Sequence, residues 1–260
     1  MNQPRRPGFP ARIASLSPST AVGPRVASVA RPAAPLAATG WGMDSAAVRM
    51  RMVQRLAADG IQSPAVLQAM GQVPRHQFVD SALVAQAYED TSLPIGLQQT
   101  ISKPSVVARM IELLLGAACV QQQNGLGRVL EVGTGCGYQA AVLAQVAREV
   151  YSIERLRGLH EKARANLRPL RLANVHLLFG DGMLGYAQGG PYAAIIAAAG
   201  GESLPPAWPE QLALGGRLVA PMVTERGQQM LLVVDKNADG SCTQTLLEAV
   251  HFVPLKSGVA

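Results

Sequence analysis

The sequence predicts a doubly wound α/β fold from Gly127 onward, and three observations carry that reading. Beyond Gly127, short apolar runs alternate with helical stretches, the texture of a parallel sheet covered by helices on both faces. The first run, Val129-Leu130-Glu131-Val132, leads into the glycine-rich turn Gly133-Thr134-Gly135-Cys136-Gly137. The next two runs end in Glu154 and in Asp181, the latter held between Gly180 and Gly182, so polar groups collect at three successive strand ends.

Each element can be justified in chain order. Residues 1–42 are rich in Pro, Ala, Arg and Ser, lack acids and show no periodicity. Such a segment buries too little apolar surface to offset the entropy of ordering, so 1–42 is expected to be a disordered tail and 43–260 the folded domain. Arg5 and Arg6 have the look of an export signal, but no apolar core follows them, and Met43 is a candidate start. From Ser45 the pattern turns helical, with Val48, Met52 and Leu56 four residues apart and Gly60 as the stop. A second helix follows Pro64, and a third, with the broad apolar stripe Val106, Val107, Met110, Ile111, Leu114 and Leu115, begins near Lys103. The stretch 91–102 between them reads as a long polar loop. Strands are expected at 128–133, 149–154, 175–179, 193–199 and 217–223, and helices at 138–147, 156–167 and 205–214. Two last strands, 230–234 and 246–255, are expected to form an antiparallel hairpin at the sheet edge across Asn237-Ala238-Asp239-Gly240.

Composition narrows the function. The net charge of +6 falls to +1 once the five arginines of 1–42 are set aside, and the body of the chain has no basic run, which argues against nucleic acid as a partner. No stretch approaches the roughly 20 apolar residues that cross a bilayer, so no membrane span is expected. Cys119, Cys136 and Cys242 are too few for a disulfide framework and fit a reducing cytoplasm. His76, His160, His176 and His251 show no ligand spacing, so no metal is expected, and the chain reads as a cytoplasmic monomer.

The glycine turn is informative because a strand precedes it and a helix follows it. Glycines at 133, 135 and 137 let the backbone turn tightly and approach a ligand that a Cβ would exclude. A dinucleotide fingerprint would place its third glycine at 138, where helix and strand pack closely, but Tyr138 stands there. Glu154, 17 residues beyond Gly137, can accept both hydroxyls of a ribose, which suits a nicotinamide cofactor and a methionine-derived one alike. Each feature alone has a bland explanation as a turn or a solvated helix start. Their joint occurrence at three strand ends favours a nucleoside site. The G-x-G-x-G turn preceded by an acid resembles the S-adenosylmethionine motif of Rossmann-like methyltransferases. In that resemblance Glu131 holds the amino group of the methionine moiety, Gly133, Thr134, Gly135, Cys136 and Gly137 form the cradle, Glu154 takes the ribose, and Asp181 with Gly182 meets the adenine.

A second resemblance concerns the substrate. The loop Leu93-Pro94-Ile95-Gly96-Leu97-Gln98-Gln99-Thr100-Ile101-Ser102 with Lys103-Pro104 resembles the signature of protein-L-isoaspartate O-methyltransferases. Val73-Pro74-Arg75, Phe78-Val79, Leu214-Gly215-Gly216-Arg217-Leu218-Val219 and Val253-Pro254-Leu255 match the same family in the same order. The resemblance implies methyl transfer from S-adenosylmethionine to the free carboxylate of isoaspartyl residues in damaged proteins, the ester then closing to a succinimide that reopens partly to aspartate. It also implies that Ser102 is the catalytic residue, orienting that carboxylate. From the residues alone, Ser102 before Pro104 reads first as a helix N-cap, and the resemblance reverses that preference. The chain departs from the family pattern at Gln98, where a glycine is common, and at Ala193, where an acid often opens the strand. Alternatives left open are a methyltransferase of the same fold acting on a small molecule, a non-catalytic adaptor for damaged proteins, and, more remotely, a nicotinamide dehydrogenase.

Overall fold

The structure, a computed structural model, describes residues 46–123 and 125–260. The expected tail 1–42 lies outside them. Seven strands form one sheet in the order β5-β4-β3-β6-β7-β8-β9, where β3 is Leu126–Val132, β4 Ala147–Glu154, β5 Val175–Phe179, β6 Tyr192–Ala197, β7 Leu212–Val223, β8 Gln229–Lys236 and β9 Cys242–Ala249. β3 to β7 pair in parallel, while β8 and β9 pair antiparallel. β6, in the middle of the sheet, is apolar and buried along its whole length because both of its faces are covered, while the edge strand β5 leaves His176 exposed. Along β3 the side chains alternate, Val129 entering one core layer and Leu130 and Val132 the other.

One layer contains α1 (Ala46–Ala58), α2 (Pro64–Gln72), α3 (Pro104–Leu115), α4 (Ala118–Gln123) and α5 (Tyr138–Leu143). All six residues of α5 are buried, which is why this short helix needs no polar face. α6 (Arg157–Leu167) carries Leu159 and Leu167 into the same layer. The opposite layer is thinner, with Trp208 of α7 (Ala207–Gln211) packed among Tyr192, Leu212 and Leu218. α1 and α2 stop and start where the sequence predicts, with Gly60 in the left-handed region at φ +109° and Ser63 accepting from the Val66 amide at the start of α2.

Several expectations need correction. The helix expected at 138–147 ends at Leu143, with Ala147 already in β4, and the one expected at 205–214 is only Ala207–Gln211, since β7 starts at Leu212 and not at 217. The stretch 91–102 contains a two-stranded hairpin, β1 (Leu93–Gly96) and β2 (Gln99–Ile101), in register Leu93 opposite Ile101. Leu93, Ile95 and Ile101 are buried, and this alternation with exposed neighbours is the half-buried strand pattern. In the final hairpin the second strand is 242–249 instead of 246–255, because the turn closes with the Asn237 amide on Ser241 O at 2.8 Å and pairing starts at once. Past Ala249 the chain leaves the edge and crosses the end of the sheet, where Pro254 bridges to Gly200.

Because β4 lies on one side of β3 and β6 on the other, a crevice opens outside the carboxyl ends of these strands, the general ligand position of open α/β sheets.

Candidate active site

A cavity of about 280 Å³ occupies that crevice, close to the lower end of ligand-pocket sizes, roughly 300 Å³. Its floor is the turn after β3, its walls are Glu154 and Leu156 after β4 and Ala198 and Ala199 after β6, and its roof is the β1–β2 hairpin with Ser102. Val253 to Lys256 close one side.

The turn is shaped by backbone that side chains oppose. Gly133, Gly135 and Gly137 have φ of +92°, +57° and +90°. A Cβ at Gly135 would come within 3.2 Å of Ile95 Cδ1 in the roof, so this glycine also keeps floor and roof apart. The Gly135 amide donates to Glu154 Oε2 at 2.9 Å, and the Leu156 amide donates to Glu154 Oε1 at 2.9 Å. Glu154 is thereby fixed with both oxygens at the cavity edge, each keeping a further lone pair for a donor. Thr134 lines the floor, its Oγ1 2.6 Å from Ser152 Oγ, and Cys136 lines it from a fully packed position. Burial pushes the Cys136 thiol up to about 11, so it stays protonated.

Glu131 lies directly behind the turn, with its Oε1 left without a hydrogen-bond partner among the described residues. It shares the buried face of β3 with Val129, is inaccessible to solvent and does not line the cavity. Its Oε2 accepts from Ser152 Oγ, which in turn meets Thr134, so the carboxyl supports the turn from behind. Burial raises it to about 8, against Ser152 and Gln139, which lower it. Gly137 is also set back from the cavity. It starts α5 in a left-handed conformation, and a Cβ there would lie 3.0 Å from Leu167 Cδ1 and 3.4 Å from Ala163 Cβ, so its requirement is helix packing against α6. Gly182 lines the cavity, and a Cβ on it would collide with Val132. Asp181 does not line the cavity: its Oδ1 accepts from the Met183 amide at 2.9 Å and its Oδ2 from the Gly258 amide at 2.6 Å, so the C-terminal segment occupies the acceptor expected for adenine.

Ser102 lines the roof, and the structure separates its two readings. It does not cap α3. That helix begins with Lys103 as N-cap, and Asp90, from before the hairpin, accepts from the Ser105 amide and hydroxyl at 2.8 Å each. Among the described residues no hydrogen bond engages the Ser102 hydroxyl, while the Ser102 carbonyl accepts from Arg75 Nη2 at 2.8 Å. Sequence reasoning missed three residues that hold the roof: Arg75, Asp90 and Lys162, whose Nζ donates to Ile95 O at 2.8 Å and to Asp80 at 3.1 Å. The sequence offered no clear signal, since Arg75 stands in the polar run Arg75-His76-Gln77.

The cavity suits a nucleoside with a methionine arm. An acid pinned at the second strand end suits ribose hydroxyls, apolar Ile153, Leu156 and Leu159 suit a flat base, and the Cβ-free turn leaves room for backbone approach. Together with the 3-2-1-4-5 order of the parallel strands, this defines a Rossmann-like methyltransferase of the S-adenosylmethionine-dependent class. Comparison with known proteins narrows the class. The family model for protein-L-isoaspartate(D-aspartate) O-methyltransferase matches residues 47–260, and the chain belongs to that family. It is 56% identical over 264 residues to a protein-L-isoaspartate O-methyltransferase of Methylibium petroleiphilum, covering 97% of this chain and 96% of that protein. It is 58% identical over 231 residues to the one of Leptothrix cholodnii, covering 88% of this chain and 80% of that protein. Among solved structures, a protein-L-isoaspartate O-methyltransferase superposes with a TM-score of 0.72 at 28% identity, covering 81% of this chain and 67% of that one. A Plasmodium falciparum structure in complex with S-adenosyl-L-homocysteine, 23% identical, shares the fold with a TM-score of 0.68 over 80% of this chain and 98% of its own.

Proposed function

We propose that the chain transfers the methyl group of S-adenosylmethionine to the free α-carboxylate of L-isoaspartyl residues in damaged proteins, with Ser102 as the catalytic residue that orients the carboxylate. Gly133, Thr134, Gly135, Cys136, Glu154 and Gly182 are the proposed cofactor cradle. One observation carries the reading: the uncommitted Ser102 hydroxyl and the glycine turn line the same cavity.

When bound, S-adenosylmethionine supplies a methyl group activated by a sulfonium. The chain's own residues have little acid–base work to do. A substrate carboxylate, with an ordinary pKa near ~4, is ionised at neutral pH and needs no general base. The Ser102 hydroxyl can donate to one carboxylate oxygen and leave the other to attack. Its contribution is alignment, which is the main help a protein can give to two partners that are already activated. The protonated Cys136 is no rival nucleophile for the methyl group. Glu154 is the proposed acceptor for the ribose hydroxyls. Asp181 is the proposed acceptor for the adenine amino group, with Oδ2 taking that donor beside or in exchange for the Gly258 amide. Cys119, Cys136 and Cys242 are all free thiols, which supports work in a reducing compartment.

The test is methyl incorporation from labelled S-adenosylmethionine into a peptide containing isoaspartate and into its aspartate twin. Labelling confined to the isoaspartyl peptide is expected; equal labelling of the twins, or none, rejects the substrate assignment.

A further inference from the structure

Arg75 is fully buried, and among the described residues no carboxylate pairs with it. Its Nε donates to Ala87 O at 2.8 Å, and its Nη2 donates to Ser102 O at 2.8 Å and to Thr91 O at 3.5 Å. Nη1 makes no hydrogen bond, and the guanidinium carbon lies 4.8 Å from the ring centroid of Tyr138. The charge is thus held by carbonyl dipoles and an aromatic face, with the Asp90 carboxylate favouring it from outside salt-bridge distance. Burial lowers its pKa, with Tyr138 opposing, but an arginine remains charged at any working pH. Taking an unpaired cation out of water is costly, and apolar packing would fill the same space with less penalty.

What this cation contacts gives the cost a purpose. Thr91 stands just before β1 and Ser102 just after β2, so one planar fork ties the two ends of the hairpin roof together. Tyr138, the ring under the guanidinium, is the first residue of α5 and lines the cavity directly after the glycine turn. The same side chain therefore touches the backbone of the roof and the helix that carries the floor. Lysine, with a point charge and no fork, would keep the cation and lose this geometry.

We propose that Arg75 is a positioning residue for methyl transfer: by holding the Ser102 carbonyl against the Tyr138 end of α5, it sets the Ser102 hydroxyl over the glycine turn. This rests on the reading of Ser102 as the residue that orients the substrate carboxylate. Arg75 has no role in binding the cofactor, and it acts on the reaction only through Ser102.

The experiment is a double-mutant cycle in the full chain, with Arg75→Lys and Ser102→Ala alone and combined. It reads kcat and KM for an isoaspartyl peptide at saturating cofactor, and Kd for S-adenosylhomocysteine. Arg75→Lys is expected to lower kcat on the order of 10- to 100-fold, the scale of one charge-assisted hydrogen bond, with Kd changed less than about 3-fold. In the Ser102→Ala background it should lower kcat by less than about 3-fold more. Arg75→Met, an apolar side chain of similar length, should lose more of kcat than Arg75→Lys at the same Kd. Equal losses from Arg75→Lys in both backgrounds, a parallel loss of cofactor affinity, or an Arg75→Lys protein that no longer folds would each overturn the proposal. Full activity of Ser102→Ala alone would instead reject the reading of Ser102, a separate result.

Discussion

The floor and the roof of the cavity face each other but are built in opposite ways. The floor is local: a strand, five residues with three glycines and a helix, stabilised by the Glu154 carboxylate of the neighbouring strand on the Gly135 amide. The roof is a short hairpin, Leu93 to Ile101, fixed from afar by Arg75 on Ser102, Lys162 on Ile95 and Asp90 on Ser105. A cofactor common to many enzymes can be met by a self-contained turn. A substrate-facing loop whose geometry is imposed by distant side chains can be adjusted without disturbing that turn, and it can also be misplaced by changes far away in sequence.

The greatest damage is expected at the floor. Gly135→Val puts a branched side chain against Ile95 and on a left-handed backbone, and it is expected to reduce S-adenosylhomocysteine affinity by 100-fold or more, on the order of 3 kcal/mol. Isothermal titration measures this; near-normal affinity would mean that the turn does not hold the cofactor. Glu154→Gln keeps the shape but turns one acceptor into a donor facing the Gly135 or Leu156 amide. A loss of about 10-fold in cofactor affinity, with the peptide KM unchanged at saturating cofactor, is expected.

Glu131, which supports the floor from behind, should reveal itself through pH. Its folded pKa, about 8, lies above the ordinary 4.5, so the fold holds a proton that the unfolded chain releases. The contribution is fully favourable below about pH 4.5 and is lost as pH rises toward 8, at up to ~1.4 kcal/mol per pH unit. Glu131→Gln removes this slope. Thermal melts of the cofactor-free protein should show the variant gaining on the parent between pH 5 and pH 8, and a difference constant across that range contradicts the assignment. The smallest effect is expected at the roof. Leu97 and Gln98 both have positive φ, 49° and 59°, as a two-residue hairpin turn of this hand requires. Gln98→Gly should relieve that strain and stabilise by about 0.5–1 kcal/mol, a rise of roughly 1–4 °C in Tm. Destabilisation would show that the Gln98 side chain makes a contact worth more than the turn costs.

Legibility in the sequence follows the same division. The strand ends at Val132, Glu154 and Phe179 and the glycine turn could be read directly because their signals are contiguous. The burial of Glu131 was legible in principle, since alternation along β3 puts it on the same covered face as Val129. Gly137 could not be distinguished from its neighbours without Leu167, far along the chain on α6. The β1–β2 hairpin escaped because Leu97-Gln98 lacks the Asn-Gly signal of such turns, and because its strands are only four and three residues long. The capping reading of Ser102 failed for a nonlocal reason, since Asp90 supplies the cap. Arg75 opens the polar run Arg75-His76-Gln77, which reads as surface, and only the structure shows that it is buried and which carbonyls it serves.

Ser102→Ala, assayed in two ways on one preparation, probes the separation of floor from roof with the fewest intermediate assumptions. The kcat for isoaspartyl peptide should fall on the order of 10- to 100-fold, with S-adenosylhomocysteine bound as tightly as by the parent. Full methylation activity, or cofactor affinity falling in step with kcat, would contradict that separation.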